Sequence, residues 1–164
     1  MKMRNKISVI VCIMSIAVSI MCTACGSAQK ESDALNGSLS DIMDTIYENA
    51  DLSEDFREAL NYYETYDLTE DMEVSILGTD EIDYLEGIVS MPMNSSIAYQ
   101  CVLLRVNEED VATVKQQLKE NADLGKWICV SAETMLIESR GNVIFFVMGN
   151  QDTVYALNSA FQNL

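Results

Sequence analysis

Residues Gly87 to Asp110 read GIVSMPMNSSIAYQCVLLRVNEED. Two apolar runs, 87–93 and 97–106, flank Asn94-Ser95-Ser96, the pattern of two strands joined by a turn. The second run, IAYQCVLLRV, is apolar on both faces except at Gln100 and Arg105, which suits a central strand covered from both sides. Pro92 lacks the N–H a ladder needs, so the first run is expected at a sheet edge or a bulge. Asn107 followed by Glu108, Glu109 and Asp110 then opens a helix, with a capping residue and acids at the positive end of the dipole. Strands in hairpins with helices between them, without strict alternation, define the class. It is an α+β domain with a largely antiparallel sheet and helices packed on it.

The flanking sequence extends this pattern. Val111, Val114, Leu118 and Ala122 make the inward stripe of the helix after Asn107, with Gly125 expected to end it. Trp127 to Val130 is a strand candidate. Thr134–Ser139 and Asn142–Met148 are strands around Arg140-Gly141, a tight hairpin in which Gly supplies positive φ. From Gln151 to Leu164, Val154, Leu157, Phe161 and Leu164 share one helical face, so the end of this segment is expected to dock. Upstream, Leu39, Ile42, Met43, Ile46, Tyr47 and Ala50 recur at spacings of three and four, a helix with Ser38 or Ser40 as its cap. Acidic, aromatic residues 51–71 read as loop with helical turns. Met72 to Leu77, MEVSIL, reads as a short strand ended by Gly78, with one helical turn from Thr79 or Asp80 through Leu85.

The first 38 residues carry a different kind of information. Lys2, Arg4 and Lys6 precede an apolar run from Ile7 to Met21. That is the layout of a signal peptide, and the run is short of the roughly 20 residues a membrane span needs. Cys22-Thr23-Ala24-Cys25-Gly26-Ser27 follows, and it resembles the lipobox of bacterial lipoproteins, with Cys22 standing where Leu is usual. The resemblance implies cleavage after Ala24 and diacylglyceryl transfer to Cys25. Two acyl chains hold a protein on a bilayer where one, at about 0.8 kcal/mol per buried methylene, does not. Two other readings compete: cleavage after Ala28 to release a soluble protein, and a Cys22/Cys25 C-x-x-C metal or redox pair. The metal reading lacks partners, because the chain has no histidine and structural zinc needs about four ligands. The organisation expected is therefore a signal peptide over 1–24, a lipidated N-terminus and flexible tether over 25–38, and one α+β domain over 39–164. Its place is the extracytoplasmic face of the cell membrane, held through the lipid on Cys25.

All 26 acids and only seven of the ten basic residues lie beyond residue 24, which leaves the cleaved chain at −19. Eighteen acids and a single base, Arg57, fall between Glu31 and Glu86. Such a surface repels nucleic-acid phosphates and anionic lipid heads, so nucleic acid is not an expected partner. It suits solvation, cations or basic protein partners.

The lipobox, the acidic half with Asp80-Glu81-Ile82-Asp83-Tyr84, the VSMPMN strand with the apolar strand and acidic helix after it, and the GNVIFFVMG strand with its final helix form one set. Together they resemble a family of lipoproteins from Clostridia-type Gram-positive bacteria, domain of unknown function 4358. The resemblance covers about residues 39–164. It implies export and a compact α+β fold, and carries no catalytic residues with it.

The residues offer little to a catalyst. With no histidine the commonest general base is missing, and no phosphate loop, nucleophile elbow or dinucleotide fingerprint occurs. Glu86, Glu133 and Glu138 lie near apolar strands without one standing out. The expectation is no catalytic residue, no cofactor and no resident metal. Asp67, Thr69, Asp71 and Glu73 alternate like the first ligands of an EF-hand, but Met72 and Gly78 stand where its Gly and bidentate Glu belong. Weak cation binding by the acidic half stays open. Cys101 and Cys129 admit two readings. One is a disulfide worth roughly 3 to 4 kcal/mol by loop closure; the other, favoured here, is two free thiols packed as small hydrophobes. Met91 and Met93 suit core packing or an adaptable binding surface. Two functions follow: a non-catalytic module that binds another envelope protein through an open sheet edge or apolar patch, or an accessory that binds a small molecule or cation in a pocket.

Overall fold

The computed structural model describes residues 35–94 and 96–164. The expected signal peptide, Cys25 and most of the tether lie outside the described residues. Five strands form a single antiparallel sheet: β1 (Tyr63–Asp67), β2 (Glu86–Pro92), β3 (Gln100–Arg105), β4 (Thr134–Arg140) and β5 (Val143–Gly149), in the order β1-β2-β3-β5-β4. The helices are α1 (Leu39–Asn49), α2 (Glu54–Ala59), α3 (Glu73–Leu77), α4 (Val111–Asn121) and α5 (Gln151–Gln162). This is the α+β architecture expected.

β3 is the central strand, and β5 beside it is buried along its whole length. Side chains alternate across a strand, so both faces of this pair need cover. Cys101 and Leu103 of β3, with Val143, Phe145 and Val147 of β5, face α1 and α5. There Phe145 stacks on Phe161 with ring centroids 4.9 Å apart. Val102, Leu104, Ile144, Phe146 and Met148 point the other way, onto Ile76 and Leu77 of α3 and Val114 and Leu118 of α4. The sheet thus lies between two helical layers.

The terminal helices follow their apolar stripes. Ser38 caps α1 by accepting from the Asp41 N–H at 3.1 Å, and Asn150 caps α5 in the same way. Gly141 takes φ +54° in the turn between β4 and β5. Leu164 packs on the core, and the Arg140 guanidinium donates to its carbonyl.

Five local expectations are corrected. MEVSIL forms α3 and no strand: Ile76 N–H donates to the Met72 carbonyl, Ile76 and Leu77 are buried, and Val74 is left exposed. Met72, Val74 and Ile76 fit a period of 2, but Met72, Ile76 and Leu77 share one helical face, and these are the residues that pack with α4. Residues 79–85 form no helical turn; Thr79 Oγ1 accepts from the Glu81 N–H and buried Ile82 pins the segment. Tyr63–Asp67, expected as loop, is β1. It covers β2, so β2 is not an edge strand, and Pro92 sits at its last position opposite Tyr63. Residues 127–130 are irregular, with Cys129 at φ +65°.

Residues 35–37 are held against the sheet. Arg105 at the end of β3 donates from Nη1 to the Leu35 carbonyl (3.0 Å) and from Nη2 to the Gly37 carbonyl (2.8 Å), while its Nε pairs with Glu86 at 2.6 Å.

Gly78 joins the two helices of the second layer. It closes α3 at φ +86°, and a Cβ there would stand 2.1 Å from the Asn121 carbonyl oxygen at the end of α4. Gly78→Ala therefore combines left-handed strain with a backbone clash. Its unfolding free energy should fall by more than about 2 kcal/mol, measured by urea denaturation.

Candidate functional site

Where α3 and α4 end together, the second helical layer leaves a gap over the sheet. The gap is a cleft of about 590 Å³, within the roughly 300–1,000 Å³ range of small-molecule sites. Its walls come from the end of α3 (Val74–Gly78), the end of β2 and its turn (Met91, Met93, Asn94), and the residues after α4 (Ala122, Asp123, Lys126, Trp127). Tyr99, Gln100 and Met148 form the floor.

Gln100 opens β3 and is 1% exposed. An amide buried that deeply needs partners for both its oxygen and its nitrogen. Its Nε2 donates to the Ile76 carbonyl at 2.9 Å, and its Oε1 accepts from the Lys126 ammonium. Lys126 Nζ also donates to the Ser75 carbonyl at 2.5 Å and lies 5.2 Å from the Trp127 ring centroid. The last-turn carbonyls of a helix have no intrahelical donor. Here Lys126 and Gln100 supply donors to two of them, which fixes α3 to the sheet.

Burial lowers the Lys126 pKa from 10.5 to about 8, opposed only in part by the nearby Asp123 carboxylate. Among the described residues the ion pairs are Arg105–Glu86 and Lys115–Glu138, so this desolvated ammonium has no carboxylate in contact. The lining is otherwise largely apolar. Val74 and Met93, each 59% exposed, stand at the rim, and Met91 packs partly into the core beneath. Met91 thus joins a core role to a cleft role, whereas Met93 is exposed at the rim and does not pack in the core.

Behind the floor lies a network of hydroxyls. Tyr47 O–H donates to Ser90 Oγ at 2.8 Å and lies 2.8 Å from the Tyr99 hydroxyl. Burial drives both tyrosines well above their usual pKa, so they remain neutral hydrogen-bonding groups.

The structure separates the carboxylates singled out in the sequence. Glu86 of β2 pairs with Arg105 of β3, and Glu138 of β4, with two strands between it and β2, pairs with Lys115 at 3.2 Å. Glu133 accepts from the Gln151 N–H at 2.9 Å and the Asn150 amide at 3.0 Å, beside the start of α5. Asp67 ends β1 and Glu73 begins α3, so the alternating acids do not share one loop. Glu70, Glu73, Asp80 and Asp83 border an open depression in which Tyr84 O–H donates to Glu73 at 2.6 Å. Among the described residues no three acid or thiol side chains gather closely enough to hold a metal. Cys101 is buried under α1 and α5, Cys129 is exposed in the loop after α4, and both are free thiols. No helix among the described residues is long and apolar enough to cross a membrane.

Lys126 and Trp127 were not singled out in the sequence, and Gln100 stood out only as a polar exception in an apolar strand. The cleft that joins them is built from five separate segments. No family model, curated protein or solved structure matches the chain.

A lysine whose folded pKa lies below its unfolded value binds less proton when folded across that interval. Unfolding then takes up protons, and stability rises with pH. Between about pH 8 and pH 10 Lys126 should add a rise of up to about 1.4 kcal/mol per pH unit. Buried Tyr47 and Tyr99 act in the opposite sense above about pH 10. Subtracting the denaturation profile of Lys126→Met from that of the wild type isolates the lysine, and the difference should slope upward with pH.

Proposed function

We propose that this protein is a membrane-tethered, extracytoplasmic lipoprotein whose α+β domain binds a small molecule in the Lys126 cleft. The observation that carries the reading is the desolvated Lys126–Gln100 pair at the base of an apolar-walled cleft. A few polar groups converging in a largely apolar concavity is the usual composition of a ligand site. The domain acts by binding, since the chain has no histidine and its strand-associated carboxylates are dispersed among separate ion pairs and caps.

The reading pairs a carrier or sensor domain with an anchor. Diacylglyceryl on Cys25 would keep it at the outer face of the membrane, where a captured solute passes to a transporter or a signalling partner. A second surface suits such a partner: β1 is an edge strand, with Tyr62 66% and Tyr66 37% exposed and Glu64 and Asp67 beside them. An open strand edge accepts an added strand.

Two measurements check the reading. The Cys25→Ser protein should leave the membrane fraction and appear in the medium or periplasm, and continued fractionation with membranes would count against the anchor. Trp127 is the only tryptophan in the chain, so emission excited at long wavelength reports on the cleft alone. A library of small metabolites screened against the full chain should give saturable Trp127 shifts. Val74→Phe, at an exposed rim position, should weaken those hits by about tenfold or more. A library without a saturable shift would sink the cleft reading.

A further inference from the structure

We infer that the ligand of this cleft is an amphiphilic monocarboxylate, its carboxylate set against Lys126 and its apolar body against Trp127 and the methionines. The inference rests on the cleft being the binding site and specifies the ligand's chemistry.

The charge comes first. An ammonium carries three donors. Two of those on Lys126 go to neutral oxygens, the Ser75 carbonyl and Gln100 Oε1. That leaves one donor, with the Trp127 ring 5.2 Å from the ammonium and the Asp123 carboxylate close enough to raise its pKa without forming an ion pair. The chain is rich in acids, yet among the described residues no carboxylate lies within ion-pair distance of this lysine. A desolvated charge without a counter-ion is costly, and a ligand anion removes that cost.

The surroundings limit that anion to one charge. The other charged side chain in the lining is Asp123 of the loop after α4, whose Oδ1 accepts from the Gly125 N–H at 2.8 Å. Tyr99, just before β3, is the other titratable group, and its hydroxyl is engaged with Tyr47. α3 presents the Ser75 carbonyl and exposed Val74, the turn after β2 presents Met93 and Asn94, and β5 presents Met148. Both nearby helices, α3 and α4, arrive by their carboxyl ends, the negative ends of their dipoles. Those ends favour the ammonium and oppose a second negative charge, so a phosphate dianion fits poorly where a carboxylate fits.

The remaining lining sets the body of the ligand. Met91, Met93 and Met148 offer flexible, polarisable thioethers, which adapt to aliphatic or aryl groups, and Trp127 offers a flat face. The exposed rim at Val74 and Met93 continues this apolar surface outward.

The test uses three probes sharing one body: 3-phenylpropionate, 3-phenylpropionamide and 3-phenylpropylamine, titrated against the full chain by Trp127 emission. At about pH 6.5 the acid should bind saturably, the amide about tenfold or more weaker, and the amine not at all. At about pH 9.5, with Lys126 largely neutral, the acid should weaken by about tenfold. Lys126→Met should abolish acid binding while retaining the wild-type circular dichroism. Lys126→Arg, charged at both pH values, should bind the acid alike at both, a result that a merely structural lysine would not give. Amide or amine binding equal to the acid would overturn the monocarboxylate and leave the cleft reading intact, provided Val74→Phe weakens it. Failure of all three probes overturns the monocarboxylate as well, and the metabolite screen then decides the cleft separately.

Discussion

Strands β3 and β5 are apolar on both faces, and that single constraint organises the molecule. Neither face of such a pair tolerates water, so cover must come from both sides. α1 and α5 supply it on one side and α3 and α4 on the other. Gln100 is the exception in the central strand, a buried amide that must find partners within the protein. Short α3 has the complementary problem of carbonyls left open at its end. Joining the two draws α3 onto the start of β3 and brings Lys126 in as the remaining donor. The cleft is what the second layer leaves uncovered once that junction is made.

The basic residues show how an acidic chain spends its few cations. Arg57 donates to the Ala50 carbonyl at 2.5 Å, Arg105 to Leu35 and Gly37, and Arg140 to Leu164. Each ties a loop or an end of the described chain to the fold through its backbone. Acids meanwhile sit mostly in solvent, where repulsion among them is weakened by screening. Lys126 performs the same backbone-fastening role but does so inside a concavity. That position gives one residue both a structural and a recognition role, which is why its two functions need separate readouts.

Periodic segments were legible in the sequence and aperiodic ones were not. The stripe from Leu39 to Ala50, the runs IAYQCVLLRV and NVIFFVM, and the Val154–Phe161 face each repeat long enough to show their period. They became α1, β3, β5 and α5. MEVSIL is too short to separate a period of 2 from 3.6, and it became α3 through contacts with residues far along the chain. β1 was hidden because YETYD is largely exposed; its strand conformation comes from pairing with β2. Pro92 misled for the same reason, since its neighbour strand was not visible. Gln100 was legible as an anomaly, whereas Lys126 and Trp127 looked like any residues following a helix. Only the fold brings them beside a strand twenty-six positions earlier in the chain.

Among the described residues the Lys126 cleft and the acidic depression are both concave, and burial of charge separates them. The depression among Glu70, Glu73, Asp80 and Asp83 is wide and polar, and Glu73 in it accepts from Tyr84. Charges in that setting gain little from a ligand, because solvent and salt are equivalent partners. The Lys126 cleft holds its charge partly buried, bonded to neutral oxygens and set against the Trp127 ring, with a carboxylate nearby that turns into its own loop. A ligand there meets a partly buried ammonium with no carboxylate in contact. Recognition energy is available where a charge has been left incompletely satisfied by the fold, and among the described lysines and arginines Lys126 is the one placed in a cleft in that state.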